Sequence, residues 1–232
     1  MNERIYLAIE RLENVFGRQL NYSLRPPMEQ LIMTILSQRT NYADEKKAYE
    51  QMRERFGSWE NIANAPLDEL TEAIKPSNYP ELKAPRIQEV IKQIIAEKGK
   101  PDLDFIAEIS TEEAMAWLRK LPGVGPKTTT FLLLFTFKRP VLPVDTHVYR
   151  VSQRVGLIGS KVNQEKAHDV LLKMLPPVAD ELLNFHKLFF KHGQQVCTWN
   201  HPKCVDCVLK DICDFGRSVL KIETPVPVST RQ

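Results

Sequence analysis

The sequence predicts an all-α protein, and three observations carry that expectation. Apolar residues recur at spacings of three and four through most of the chain. No segment sustains an alternation of period two, and the one β-like run, Val141-Leu142-Pro143-Val144, is interrupted by its proline. Serine, proline and glycine fall where helices would begin and end.

Taken in order, residues 3–17 set Ile5, Ile9, Leu12 and Phe16 on one stripe. Pro26-Pro27 opens a second helix that runs through Ile35, and a third covers 42–56, ended by Gly57. Ser58 and Pro66 start two short helices, WENIANA and LDELTEAI. Residues 84–98 carry Ile87, Val90, Ile91, Ile94 and Ile95. Ser110 followed by Glu113 has the pattern of a capping box ahead of the helix MAWLRK. Further helices are expected over 126–137, 145–156, 163–174 and 177–191, about ten in all with short connections. The tail after Gly216, ending TPVPVSTRQ, reads as a loose polar extension.

A chain of 232 residues is long enough for one large domain or two small ones. Its 43% hydrophobic and 26% charged residues are ordinary for a globular protein, and a net charge of +3 does not by itself define a nucleic-acid partner. No run of 18 apolar residues exists, so no membrane span is expected. The N-terminus is charged and amphipathic rather than signal-like, and a cytoplasmic location is expected, nucleoid-associated in a bacterium. All four cysteines fall between Cys197 and Cys213, so none can staple the rest of the chain. A tight cysteine cluster in a reducing compartment points to metal.

Three segments carry chemistry. In Leu121-Pro-Gly-Val-Gly-Pro-Lys-Thr128, Gly123 and Gly125 permit backbone conformations that other residues resist, and Pro126 suits the first position of a helix. Such a turn leaves amide N–H groups facing outward, where a phosphate can bind, although a corner without a ligand has the same pattern. The helix that follows is apolar all round and so buried. Lys127 would therefore stand partly desolvated at a positive helix end, and both effects favour the neutral, nucleophilic amine. A plain phosphate contact is the competing role for Lys127.

Between Arg119 and Arg154 lie seven cationic residues, Arg119, Lys120, Lys127, Lys138, Arg139, Arg150 and Arg154, and Asp145 is the sole acid. One carboxylate on a basic, DNA-facing surface weakens backbone binding and so needs a reason. It could cap the next helix, or it could stabilise positive charge developing on a sugar. His147, two residues on, is read as a structural histidine. The third segment is Cys197-x6-Cys204-x2-Cys207-x5-Cys213. Zinc sites usually contain two short cysteine knuckles, and here only Cys204 and Cys207 form one, so the longer loops suit an iron–sulfur cluster better. Lys191, His192, Lys203 and Lys210 lie near it and could meet DNA phosphate, or form a solvated basic loop.

These three elements, in this order, resemble the endonuclease III family of helix–hairpin–helix DNA glycosylases, over roughly residues 24–215. LPGVGPKT resembles the family hairpin with its lysine, PVDTHVYRV the segment with its aspartate, and the cysteine spacing its [4Fe-4S] loop. The resemblance implies a two-lobed all-α fold. One lobe would span 24–140 as a six-helix bundle with the hairpin. The other would join 1–23 to 141–216 and the cluster, with 217–232 as a tail. It implies a monomer acting on double-stranded DNA that holds damaged bases or abasic sites. Lys127 would attack C1′ of a flipped-out nucleotide, Asp145 would assist it, and β-elimination would nick the strand. Oxidised pyrimidines are the typical substrates. Gly123, Gly125, Thr128 and Lys203 would contact DNA, and Cys197, Cys204, Cys207 and Cys213 would hold the [4Fe-4S] cluster.

Two loops depart from the family pattern. Arg39 takes the usual glutamine place, with Gln38 one residue earlier, and Tyr79 stands where a leucine wedge is common. Both loops normally fill the hole left by the flipped base. A monofunctional mismatch glycosylase of the same group would lack the hairpin lysine. A non-catalytic DNA-binding module, or a zinc-bound one, would need neither Lys127 nor Asp145.

Overall fold

The structure, a computed structural model, describes residues 3–23 and 25–222. Every regular element among them is helical. The chain divides into two compact units, one formed by residues 22–143 and the other by 1–21 with 144–232. Among the described residues, no helix is long and apolar enough to cross a membrane.

The first unit contains α2 (Pro27–Leu36), α3 (Tyr42–Phe56), α4 (Trp59–Asn64), α5 (Leu67–Ala73), α6 (Pro80–Lys98), α7 (Thr111–Leu118) and α8 (Pro126–Phe135), with a 3-10 turn at Asp104–Ala107. Helix α2 is buried over Leu31–Leu36 without a break and packs against α3, α6 and α8. A helix that is apolar around its whole circumference is stable only when surrounded, so α2 is the axis of this unit. Helix α6 lays Ile87, Val90, Ile91 and Ile94 against α4 and α5, all four fully buried. The capping box at Ser110 is formed on both sides: Glu113 N donates to Ser110 Oγ (3.1 Å), and Ser110 N donates to Glu113 Oε2 (2.9 Å).

The second unit contains α1 (Glu3–Phe16), α9 (Thr146–Val155), α10 (Gln164–Leu172), α11 (Ala179–Gln195) and α12 (Asp214–Leu220). Helix α9 packs on α10, α11 and α12, and α1 packs on α11. Gly193 sits inside α11 because a Cβ there would lie 2.8 Å from the Cβ of His147. The missing side chain lets the two helices approach closely.

Three boundaries differ from the sequence expectation by four residues, beside smaller shifts of one or two at other helix ends. Helix α6 starts at Pro80, not at 84, because Pro80 presets the first helical φ; its first turn escaped notice because its one apolar residue, Leu82, faces solvent. Helix α11 runs on to Gln195 because His192 and Gly193 are buried rather than terminal. Residues 217–220, read as loose tail, lie in α12, where Cys213 Sγ accepts from Gly216 N (3.3 Å) and Asp214 pairs with Arg4 at 2.9 Å. The remainder of that tail, 223–232, lies outside the described residues.

Candidate nucleic-acid site and cysteine centre

The hairpin before α8 is anchored by Leu121 and Val124, 2% and 4% exposed, and closed by Val124 N donating to the Leu121 carbonyl (3.1 Å). Gly123 has φ 71°, in the left-handed region, and a Cβ there would lie 2.2 Å from Arg86. Both the turn and the close approach require glycine. Gly125 is different. Its backbone is extended, and a Cβ would meet nothing within 4 Å, so no conformational demand explains it. It is the N-cap of α8, and no side chain caps that helix. With Pro126 at the first position, the Lys127 and Thr128 amides stand at an uncapped helix start, an electropositive end suited to an anion. Thr128 is 4% exposed. Lys127 is half-buried. Glu45, in the first turn of α3, feels its charge: burial pushes the Glu45 carboxyl up to about 7, against the pull of Arg25, Lys127 and Lys83.

The two loops expected to fill a gap in the duplex are joined. Arg39 and Tyr79 both adopt left-handed backbones, with φ 55° and 59°, and the Arg39 guanidinium lies 5.7 Å from the Tyr79 ring centre. Asn78 N donates to Thr40 Oγ1 (3.0 Å), and Asn78 Nδ2 donates to the Arg39 carbonyl (2.5 Å). Gln38 Oε1 accepts from Arg86 (3.1 Å), the side chain that also covers Gly123. Lys83 Nζ sits beneath both loops. Sequence reasoning missed Arg86 and Lys83. The available signal was Lys83 itself, four residues before Ile87 on the apolar face of α6, where a lysine has no place unless its charge is used.

In the second unit, Asp145 is the N-cap of α9 and is 7% exposed. Its Oδ1 accepts from His147 N (2.9 Å) and Val148 N (2.8 Å). Capping is therefore one role of this carboxylate. His147 Nδ1 lies 3.1 Å from Arg150, and its ring meets Phe190 edge-on. Arg150 donates in turn to the carbonyls of Cys197 (2.9 Å) and Gly193 (2.7 Å).

That arrangement corrects the reading of seven cations as one DNA-facing surface. Arg139 donates to the carbonyls of Ile106, Ala107 and Ile109, closing the 3-10 turn. Arg154 donates to the carbonyls of Thr198 (2.7 Å) and Trp199 (2.9 Å) and to Cys197 Sγ (3.4 Å). With Arg150, these guanidiniums hold loops in place. The basic residues near the cysteines sort similarly. Lys191 donates to Gln19 Oε1 (2.7 Å) and Lys210 to the Val205 carbonyl (2.8 Å). Burial pushes His192 down to about 4, and at 3% exposed it brings no positive charge to a phosphate. Lys203 is exposed.

The four cysteines line one cavity with His192, Val196, Leu209 and Phe215. N–H donors are aimed at three of the sulfurs: Arg154 at Cys197, Leu209 N at Cys207 (3.4 Å), and Gly216 N at Cys213 (3.3 Å). Such donors stabilise sulfur in its anionic, ligating form. Among the described residues, no three His, Cys, Asp or Glu side chains are gathered tightly enough to hold a single metal ion. Four thiols lining one cavity are a donor set that suits a thiolate-bound metal centre.

A glycine hairpin before an uncapped helix, a lysine at its mouth and an all-helical scaffold define a helix–hairpin–helix protein of the kind that handles DNA. The model of the HhH-GPD superfamily base excision DNA repair proteins matches residues 32–177. The chain belongs to that superfamily and, within it, to the endonuclease III family. It is 33% identical over 202 residues to endonuclease III of Thermotoga maritima, covering 85% of this chain and 87% of that one. Endonuclease III of Bacillus subtilis is 30% identical, with 82% of each chain covered. A trapped covalent intermediate of an endonuclease III with DNA superposes with a TM-score of 0.81 at 26% identity, over 95% of this chain and 99% of that one.

Proposed function

We propose that this chain is a bifunctional base excision enzyme that removes oxidised pyrimidines from double-stranded DNA and nicks the resulting abasic site, acting as a monomer. The observation that carries the reading is Lys127, half-buried at the uncapped start of α8 behind the Gly123 turn. Chemistry at C1′ requires the damaged nucleotide to leave the stack. The amides of Gly125, Lys127 and Thr128, and the exposed Lys203, would hold phosphates while Gln38, Arg39 and Tyr79 fill the gap. Lys127 Nζ, deprotonated, forms a bond to C1′ as the C1′–N bond breaks, and the base leaves with the electron pair and a proton given up by Nζ. The C1′–O4′ bond then breaks as the C1′=Nζ imine forms, and the remaining Nζ proton passes to O4′. Loss of a C2′ proton then breaks the C3′–O bond, and water releases the lysine. Asp145 Oδ1 is committed to two amides, and the other carboxylate oxygen is assigned to the positive charge that builds on the sugar. The relative captured as a covalent DNA intermediate supports a covalent route.

Cys197, Cys204, Cys207 and Cys213 would hold a [4Fe-4S] cluster. Its contribution when bound is to fix the fold of its loop, including Lys203, and no step of the reaction passes through it.

The test is borohydride trapping on a duplex containing thymine glycol or an abasic site. Wild-type protein should form a covalent adduct, and Lys127→Gln should form none while still binding, since one charge among several is lost. Excision without trapping would make the enzyme monofunctional, and neither activity would make it a binding module. Robust trapping by Lys127→Gln would move the nucleophile elsewhere.

A further inference from the structure

Lys83 is a buried cation whose hydrogen bonds, among the described residues, go to neutral oxygens, with the Glu45 carboxyl acting on it at longer range. Its side chain is 3% exposed, on the core-facing side of α6. Nζ donates to the carbonyls of Leu36 (2.7 Å) and Gln38 (2.7 Å), to Thr40 Oγ1 (2.9 Å) and to Ser77 Oγ (2.7 Å). The Leu36 carbonyl is at the end of α2, where a helix leaves acceptors unmatched and favours positive charge. The Gln38 carbonyl and Thr40 Oγ1 belong to the loop that follows, and Ser77 Oγ to the loop before Tyr79. Ser77 Oγ also donates to the Leu36 carbonyl (3.1 Å), so the loop before Tyr79 is tied to the end of α2 as well as, through Asn78, to the loop around Arg39.

The two loops carry the strain that such a tie would have to hold. Arg39 and Tyr79 are long side chains on left-handed backbones, a conformation that persists when its surroundings impose it. Both are exposed, and they stack on each other. A core lysine costs desolvation that an apolar residue would not, and the neutral oxygens with the more distant Glu45 carboxyl compensate it incompletely. For packing alone, methionine would serve α6 better.

We propose that Lys83 is a positioning residue for reading the strand opposite the lesion. Its ammonium locks the Gln38–Thr40 loop to the Ser77–Tyr79 loop, so that the Arg39 guanidinium and the Tyr79 ring meet an unpaired base as one preassembled platform. This inference rests on the reading that these two loops fill the gap in the duplex.

The probe is a duplex with 2-aminopurine opposite a tetrahydrofuran abasic analogue, which cannot be cleaved. Stacking of the platform on 2-aminopurine should change its fluorescence when wild-type protein binds. Lys83→Met should lose most of that change at saturation. In parallel, the ratio of single-turnover excision rates with guanine and with adenine opposite the lesion should move toward one by about tenfold, the scale of one lost buried hydrogen bond. Partial unfolding would lower both rates together and leave their ratio untouched. A full fluorescence change and an unaltered ratio in Lys83→Met would overturn the proposal. If wild-type protein gives no fluorescence change, the gap-filling reading itself fails. Should Lys83→Met not fold, Thr40→Val removes one acceptor of Lys83 and one of the two Asn78 links. It should show the same losses, and a wild-type response from it would overturn the proposal equally.

Discussion

Arg86 lies directly over the α-carbon of Gly123, so close that a Cβ would be 2.2 Å from its Cδ and Nε. The same guanidinium donates to Gln38 Oε1 at 3.1 Å. One side chain thus joins the hairpin to the loop after α2. Gly123→Ala must both hold a positive φ and displace Arg86. We expect it to lower stability by about 1–2 kcal/mol, or roughly 2–8 °C in Tm for a chain of this size. Gly125→Ala, extended and in open space, should cost less. Thermal melts of the two variants check this, and equal losses would contradict the assignment of the strained position to Gly123.

Asp145 caps α9, and its proposed second role can be separated from the first. Asparagine keeps an oxygen for His147 N and Val148 N, so Asp145→Asn should melt close to wild type. It should bind DNA as well or slightly better, and excise about 100-fold more slowly or worse. Asp145→Ala should add a loss of about 1 kcal/mol from the cap. Near-normal excision by Asp145→Asn would leave capping as its whole function.

Glu45 should impose a pH dependence on stability. Burial raises its carboxyl from 4.5 to about 7, so the folded state favours the neutral form. The resulting stabilisation is complete below pH 4.5 and is lost as pH rises through about 7. Glu45→Gln should therefore match wild type near pH 4.5 and exceed it by about 2 °C or more above pH 7, after allowance for partial exposure. Melting curves from pH 4.5 to 8 decide it, and a gap that is constant across that range would remove Glu45 as the cause.

The cysteine centre predicts a brown protein with about four irons per chain. Cys204→Ser should lower iron content and destabilise the surrounding loop. Elemental analysis after anaerobic purification is the check, with one zinc and no iron as the contrary outcome.

The all-α class, most helix starts, the hairpin, Lys127, Asp145 and the cysteine spacing were legible in the sequence. Each of these is local: periodicity, a cap, a turn or a fixed spacing is written in neighbouring residues. Gly123 could be read as a turn glycine, but only the folded chain distinguishes it from Gly125, because the decisive neighbour, Arg86, comes from another helix. Counting charges between Arg119 and Arg154 suggested one basic surface. Packing turned Arg139, Arg150 and Arg154 toward carbonyls and a sulfur, since guanidinium forks satisfy loop oxygens that sequence spacing does not reveal. The tertiary structure likewise decided that the Arg39 and Tyr79 loops are bonded to each other. Their bonds through Asn78 and Lys83 join residues some forty positions apart.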